Sequence, residues 1–232
     1  MNAIILDAIP FQLELTPLMK RLHIEEGSQD ADDLIRLAHR AQAIAKPKAL
    51  YKVALVESKG DNYVVIDGTT LTSRVLRVNL EEAHRVFPFV ATCGTELDDW
   101  SSSIDDVLHR YWGDAIKEMA LHSAIRTLDE HLVDRYRPGR ISAMNPGSLG
   151  DWPLPQQRAL FAILGNTKDA IGVQLSDSSL MIPTKSVSGI QFPTEESFAS
   201  CQLCPRENCP GRRTAYDETL YERKYRLKPN VK

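Results

Sequence analysis

Three of the four cysteines crowd into one stretch, Cys201-x2-Cys204-x4-Cys209, and the fourth, Cys93, lies far upstream. In a chain without a secretory signal, such clustering argues for metal or redox chemistry over a disulfide framework. The spacing, with Pro210 directly after the last cysteine, matches the local ligand set of an iron–sulfur cluster completed by a remote fourth ligand. Cys93 is the only remote cysteine. A structural zinc site draws on the same residue types, so iron–sulfur and zinc both stay open. Arg206, Arg212 and Arg213 would partly offset the charge of several thiolates and raise the potential of a redox centre.

A second stretch with chemical potential begins at Arg140 and runs through Asn145-Pro146-Gly147-Ser148-Leu149-Gly150 to Asp151-Trp152-Pro153. Proline removes backbone donors and glycine relaxes φ, so this segment is neither a helix nor a central strand. Its N–H groups and the Arg140 guanidinium are suited to a carboxylate or phosphate; the plain alternative is a structural turn with a surface arginine. Further on, Ser186-Val187-Ser188-Gly189 sets small side chains where backbone can approach a ligand closely, or where a strand end packs tightly. His109, His122 and His131 are not spaced as a helical metal pair and read as core-edge or surface residues.

These residues need elements to hold them. Ser28–Ala45 reads as a helix, with leucines and alanines at helical spacing, aspartates in its first turn and Pro47 as its stop. Ile4–Leu6 reads as an edge strand, followed by a short helix over Thr16–Leu22. Lys52–Glu57, Tyr63–Ile66, Leu71–Val78 and Val86–Cys93 read as strands, with turn signals at Lys59–Asn62 and Asp67-Gly68. A helical turn capped by Asn79 fits Leu80–Val86. Thr95–Arg137 reads as a short helix and then a long one, whose apolar stripe is Val107, Leu108, Tyr111, Ala115, Met119, His122, Ile125 and Leu132. Pro155–Leu164 is a helix closed by Gly165, and Ile171–Leu175 and Leu180–Ile182 read as strands.

At 232 residues, with 43% hydrophobic and 25% charged residues, the chain can bury a substantial core. A formal net charge of −3 gives no general affinity for nucleic acid or anionic membrane. No apolar run approaches bilayer length, and the N-terminus lacks a basic segment leading into a long apolar one, so a cytoplasmic location is expected.

The order of Arg140, Asp151-Trp152-Pro153, Gln156-Gln157, Leu160-Phe161, Ser179, Met181, Pro183 and Ser186-Val187-Ser188-Gly189 resembles the activation domain of cobalamin-dependent methionine synthase, and in particular its small stand-alone relatives. The likeness is best over Glu118–Phe192. Where the family has Arg-x-x-x-Gly-Tyr, this chain has Arg140, its next glycine is Gly147, and no tyrosine follows.

The resemblance implies an α/β (α+β) fold, a curved and mostly antiparallel sheet flanked by helices over residues 1–193, with a Cys-rich appendage over 194–232. It implies binding of S-adenosylmethionine by Arg140, Asn145, Gly147, Ser148 and Leu149, with Glu130 as a carboxylate near the sulfonium. It also implies that Ser186, Val187, Ser188 and Gly189 face a corrinoid. The chain has no Asp-x-His-x-x-Gly cobalamin motif and no flavin motif. A corrinoid protein or cobalamin-dependent methyltransferase and an electron donor are therefore the implied partners. Two classes of function follow: a component that methylates or reductively reactivates a corrinoid protein, or a non-catalytic docking module with a structural zinc site.

Overall fold

Turn residues cut the apolar runs into short elements, and the computed structural model describes residues 2–227 of them. In order these are β1 (Ile4–Leu6), α1 (Leu15–Leu22), α2 (Gln29–Ile44), β2 (Lys48–Tyr51), β3 (Ala54–Lys59), β4 (Tyr63–Ile66) and β5 (Thr69–Thr72). Then come α3 (Arg74–Asn79), β6 (Arg85–Thr92), α4 (Thr95–Ser102), α5 (Val107–Tyr136) and β7 (Ile141–Met144). The last are α6 (Gln157–Leu164), α7 (Thr167–Ile171), β8 (Gln174–Leu175), β9 (Met181–Ile182) and β10 (Ser186–Pro193).

β6 is the axis of the sheet. From Val86 to Thr92 every residue is buried, as a strand covered on both faces requires. β2 and then β3 run along one of its edges and β10 along the other, and β7 pairs with the outer edge of β10. β4 and β5 extend the β3 side, β1 pairs with β2, and every ladder is antiparallel. The result is a curled antiparallel sheet with helices on both faces, as the sequence implies.

One core lies between the sheet and α1, α2, α4 and α5, centred on Leu34, Phe89, Trp112 and Leu128. The other holds Leu76, Trp152, Leu160, Ile190 and Phe192 on the opposite face. Phe198, Leu220 and Tyr225 are buried in that second core. The segment after Pro193 is therefore packed onto the domain over its described residues.

Several element readings need correction. Leu71–Val78 is not one strand: β5 stops at Thr72, and Ser73 caps α3 by accepting from the Leu76 N–H at 2.9 Å. Ile171 closes the short helix α7, leaving only Gln174–Leu175 as strand. The buried face of α5 is Trp112, Ile116, Ala120, Ala124, Leu128 and Leu132, stepping by four. Val107, Leu108 and Tyr111 are instead 78%, 49% and 61% exposed, because the helix begins beyond the edge of the core.

Candidate functional site

Residues Ile190–Pro193 of β10 pair with β7, but Ser186–Gly189 extend past the end of that strand. Among the described residues, no strand pairs with their outer edge. Asn145, the residue after β7, closes the step by donating its Nδ2 to the Ser188 carbonyl at 2.8 Å. The Ser188 carbonyl thus points away from β6, and alternation of the ladder sends the Ser186 backbone groups the same way. Gly189 is required at the step, since a Cβ there would lie 2.4 Å from the Met144 carbonyl oxygen.

A cleft of about 330 Å³ opens along this bare edge, bounded by Asn145, Pro146, Ser148, Leu154, Met181 and Ser186–Ser188. Ser188 is 2% exposed, and its hydroxyl has no hydrogen-bond partner among the described residues. Ser186 Oγ lies within reach of the Pro183 carbonyl (2.7 Å) and Thr92 Oγ1 (2.9 Å). The loop that forms the far wall is tied by the Gly147 N–H to the Trp152 carbonyl at 2.8 Å. Gly147 supplies its positive φ of 83°. Leu149 turns inward against the second core, outside the lining of the cleft. The structure thus brings Asn145 and Ser148 together with Ser186, Val187 and Ser188, and no charged side chain lines this cleft.

The other residues implicated by the sequence lie at the opposite end of β7. Arg140 precedes that strand and Asn145 follows it, about 16 Å apart along an extended chain. Arg140 is exposed, and its Nη1 donates to the Glu195 carbonyl at 2.5 Å. A single cleft built from Arg140 and Ser186–Gly189 is therefore not what the fold provides.

Near Arg140 a second cleft, of about 270 Å³, lies between α5 and the β7–β10 pair. Its lining includes Asp129, Ser142, Ala143, Gln191, Phe198 and Arg213. Gln191 is 4% exposed; its Nε2 donates to Asp129 Oδ1 at 2.6 Å, and its Oε1 has no partner. Asp129 is exposed as a residue, yet its carboxyl is desolvated by the cleft wall, which raises its pKa. The Gln191 amide opposes that shift and the Glu130 charge adds to it. Glu130 itself is exposed beside Asp129, outside the lining. Sequence reasoning missed Gln191 and Asp129. The signal was a glutamine in an otherwise apolar buried strand, where an amide must find partners.

The cysteines divide as well. Cys93 follows β6 at the Ser186 end of β10, since its N–H donates to the Lys185 carbonyl at 3.0 Å. The other three follow the far end of β10, about 25 Å away along the strand. Cys93 lies in the first core, whereas the segment that carries the other three packs on the second, and among the described residues the four are not gathered into one site. Cys93 is a buried thiol whose pKa burial pushes up to about 12, with the Asp98 charge adding to the shift.

Cys201, Cys204 and Cys209 lie on a turn wound about Arg212. Its guanidinium donates to the Cys201 and Cys204 carbonyls, each at 3.2 Å, and its N–H to the Cys209 carbonyl at 3.1 Å. Among the described residues, no three His, Cys, Asp or Glu side chains are grouped to hold one metal ion. Nor is any described helix long and apolar enough to cross a membrane.

The architecture is a curled antiparallel sheet with the long α5 across one face and clefts that border the β7–β10 pair. One solved structure similar to it is the crystal structure of the MetH reactivation domain bound to AdoHcy. That structure aligns over 87% of this chain and 82% of its own, with a TM-score of 0.59 and 15% identity. No protein-family model and no curated protein matches the sequence. The fold is that of the domain the sequence resembles.

Proposed function

We propose that this chain is a reactivation module that holds S-adenosylmethionine between α5 and the β7–β10 pair and presents the bare edge of β10 to a corrinoid on a partner protein. The observation that carries this is the unpartnered Gln191 Oε1 beside the Asp129 carboxyl. Two acceptors facing one cleft suit a ligand with both an ammonium and a sulfonium group, in a fold whose solved counterpart is bound to AdoHcy. The donor set fits: acceptors for the two cationic groups, and Arg213 in the lining for the carboxylate.

When bound, S-adenosylmethionine supplies an already activated methyl group. The protein's own part is orientation and electrostatics. Asp129 and Gln191 fix the charged end, and Glu130 adds negative charge nearby. In this reading Asn145 and Ser148 line the partner-facing cleft with Ser186–Ser188, and Gly147, Leu149 and Gly189 set the backbone around it. Uncharged walls and a bare strand edge suit docking against a large, weakly charged ring.

Titration calorimetry on the whole chain tests the reading. The wild type should bind S-adenosylmethionine more tightly than AdoHcy, and Asp129→Asn should remove that preference and cost about tenfold or more in affinity. Absence of binding by the wild type would overturn the proposal.

An iron–sulfur or zinc centre on Cys201, Cys204 and Cys209 is supported by their spacing and by Arg212, which gathers their carbonyls. A metal would have to draw the three thiols together, and the electron donor stays external. The docking-module reading with zinc is favoured by the firm anchoring of the Cys segment in the second core. Iron, zinc and sulfide analysis of anaerobically purified protein separates the two.

A further inference from the structure

The Cys-rich segment does more than pack against the domain: one of its side chains forms a wall of the Asp129–Gln191 cleft. Arg213 lines that cleft, whereas Arg140 does not. The Arg140 guanidinium is turned onto the Glu195 carbonyl, and its own carbonyl accepts from the Thr194 N–H at 3.0 Å. Arg140 thus fastens the start of the segment and faces solvent. Arg213 forms no ion pair with a carboxylate among the described residues; its backbone N–H and guanidinium reach the Cys201 thiol, lowering that thiol's pKa, and its charge is not neutralised by an acid. Its backbone position is set by Arg212, whose bonds to three cysteine carbonyls leave the next residue little freedom. A second tie, from the Phe198 N–H to Ser142 Oγ at 2.8 Å, joins the segment to β7 at the floor of the cleft.

The remaining polar side chains of the cleft carry no positive charge. Asp129 is acidic, Gln191 offers its carbonyl oxygen, and Ser142 Oγ accepts from Phe198. A carboxylate entering such a site meets repulsion unless a cation lies opposite Asp129, and Arg213 is the cation in the lining.

We propose that Arg213, delivered by the Cys-rich segment, receives the carboxylate of an amino-acid-bearing ligand whose ammonium group is taken by Asp129 and Gln191. This rests on the ligand assignment above and deepens it. It transfers to the appended segment a role that the sequence resemblance gives to Arg140.

The experiment is calorimetry on the full chain with AdoHcy and with its decarboxylated analogue, using wild type, Arg213→Met, Arg213→Lys and Arg140→Met. The wild type should prefer AdoHcy by about tenfold or more, the range of a charge-assisted contact. Arg213→Met should lose both that affinity and the preference, Arg213→Lys should keep part of each, and Arg140→Met should keep the preference. Arg213 is exposed, and its replacement should leave the melting temperature unchanged. A preference that survives Arg213→Met, or vanishes in Arg140→Met, overturns the inference while leaving the ligand assignment standing. Failure of the wild type to bind either compound overturns both.

Discussion

Buried polar atoms without partners are rare, and two of the three side-chain cases among the described residues fall on β10. These are Ser188 Oγ and Gln191 Oε1, each bordering a different cleft. An unmet buried acceptor or donor costs about 1–3 kcal/mol, and a ligand that supplies the missing bond recovers it. Ser188→Ala should therefore leave the free protein as stable as wild type or slightly more so, by urea denaturation; a clear loss would mean the hydroxyl is satisfied internally. The third atom, Trp152 Nε1, is enclosed in the second core, and nothing in the structure explains it. Cys93 is the opposite kind of residue, enclosed and chemically quiet. Its thiol should resist alkylation in the native protein near pH 8 and react after unfolding. Because burial raises its folded pKa to about 12 from the ordinary thiol value of 9.0, the unfolded state loses its proton first. Its contribution to stability is thus complete below about pH 9 and falls as pH rises toward 12.

At the scale of elements, α3 is held by a residue far from it in sequence. Asp151, in the loop before α6, accepts from the Val75 N–H at 2.9 Å, the Arg74 N–H at 3.3 Å and the Ser73 hydroxyl. Removing an N-terminal cap of this kind should cost about 1–2 kcal/mol. Asp151→Ala should accordingly lower the denaturation midpoint, and an unchanged midpoint would show that Ser73 alone suffices. The same tie explains why Leu71–Val78 reads locally as a strand. Val75 and Val78 favour one, and the cap that turns them into a helix comes from 76 residues away in the Val75 case. The long helix shows a different difficulty. Its existence and bounds follow from the sequence, but its buried face is built on Trp112, Ala120 and Ala124. Alanines carry little hydrophobic signal, and the exposed Val107, Leu108 and Tyr111 pull the inferred stripe around. The clustering of Ser186–Gly189 with Asn145 was legible as two motifs, not as one cleft. Their meeting depends on where β7 stops against β10.

Across the whole molecule, the segment after Pro193 joins the Asp129–Gln191 cleft to the second core. At its near end Phe198 and Arg213 border the Asp129–Gln191 cleft, and at its far end Tyr225 closes over α3. Composition marks this stretch as different in character, but a boundary at 193/194 hides three large apolar side chains that leave water there. Tyr225 is fully buried, its hydroxyl donates to Asn79 Oδ1 at 2.9 Å, and its carbonyl accepts from Arg74 Nε at 2.8 Å. Burial pushes its hydroxyl pKa up to about 12, so it stays neutral and bonded throughout the physiological range. If the segment is an integral wall of the fold, Tyr225→Phe should cost about 1 kcal/mol, the net worth of one hydrogen bond. Tyr225→Ala should cost about 3–5 kcal/mol, because the cavity beneath α3 cannot collapse onto the strands behind it. Both are read from urea unfolding of the whole chain, with hydrogen exchange on α3 as the local reporter. A loss in Tyr225→Ala no larger than in Tyr225→Phe would mean the segment detaches at little cost. Arg213 would then lack the anchored backbone that its place in the ligand cleft requires.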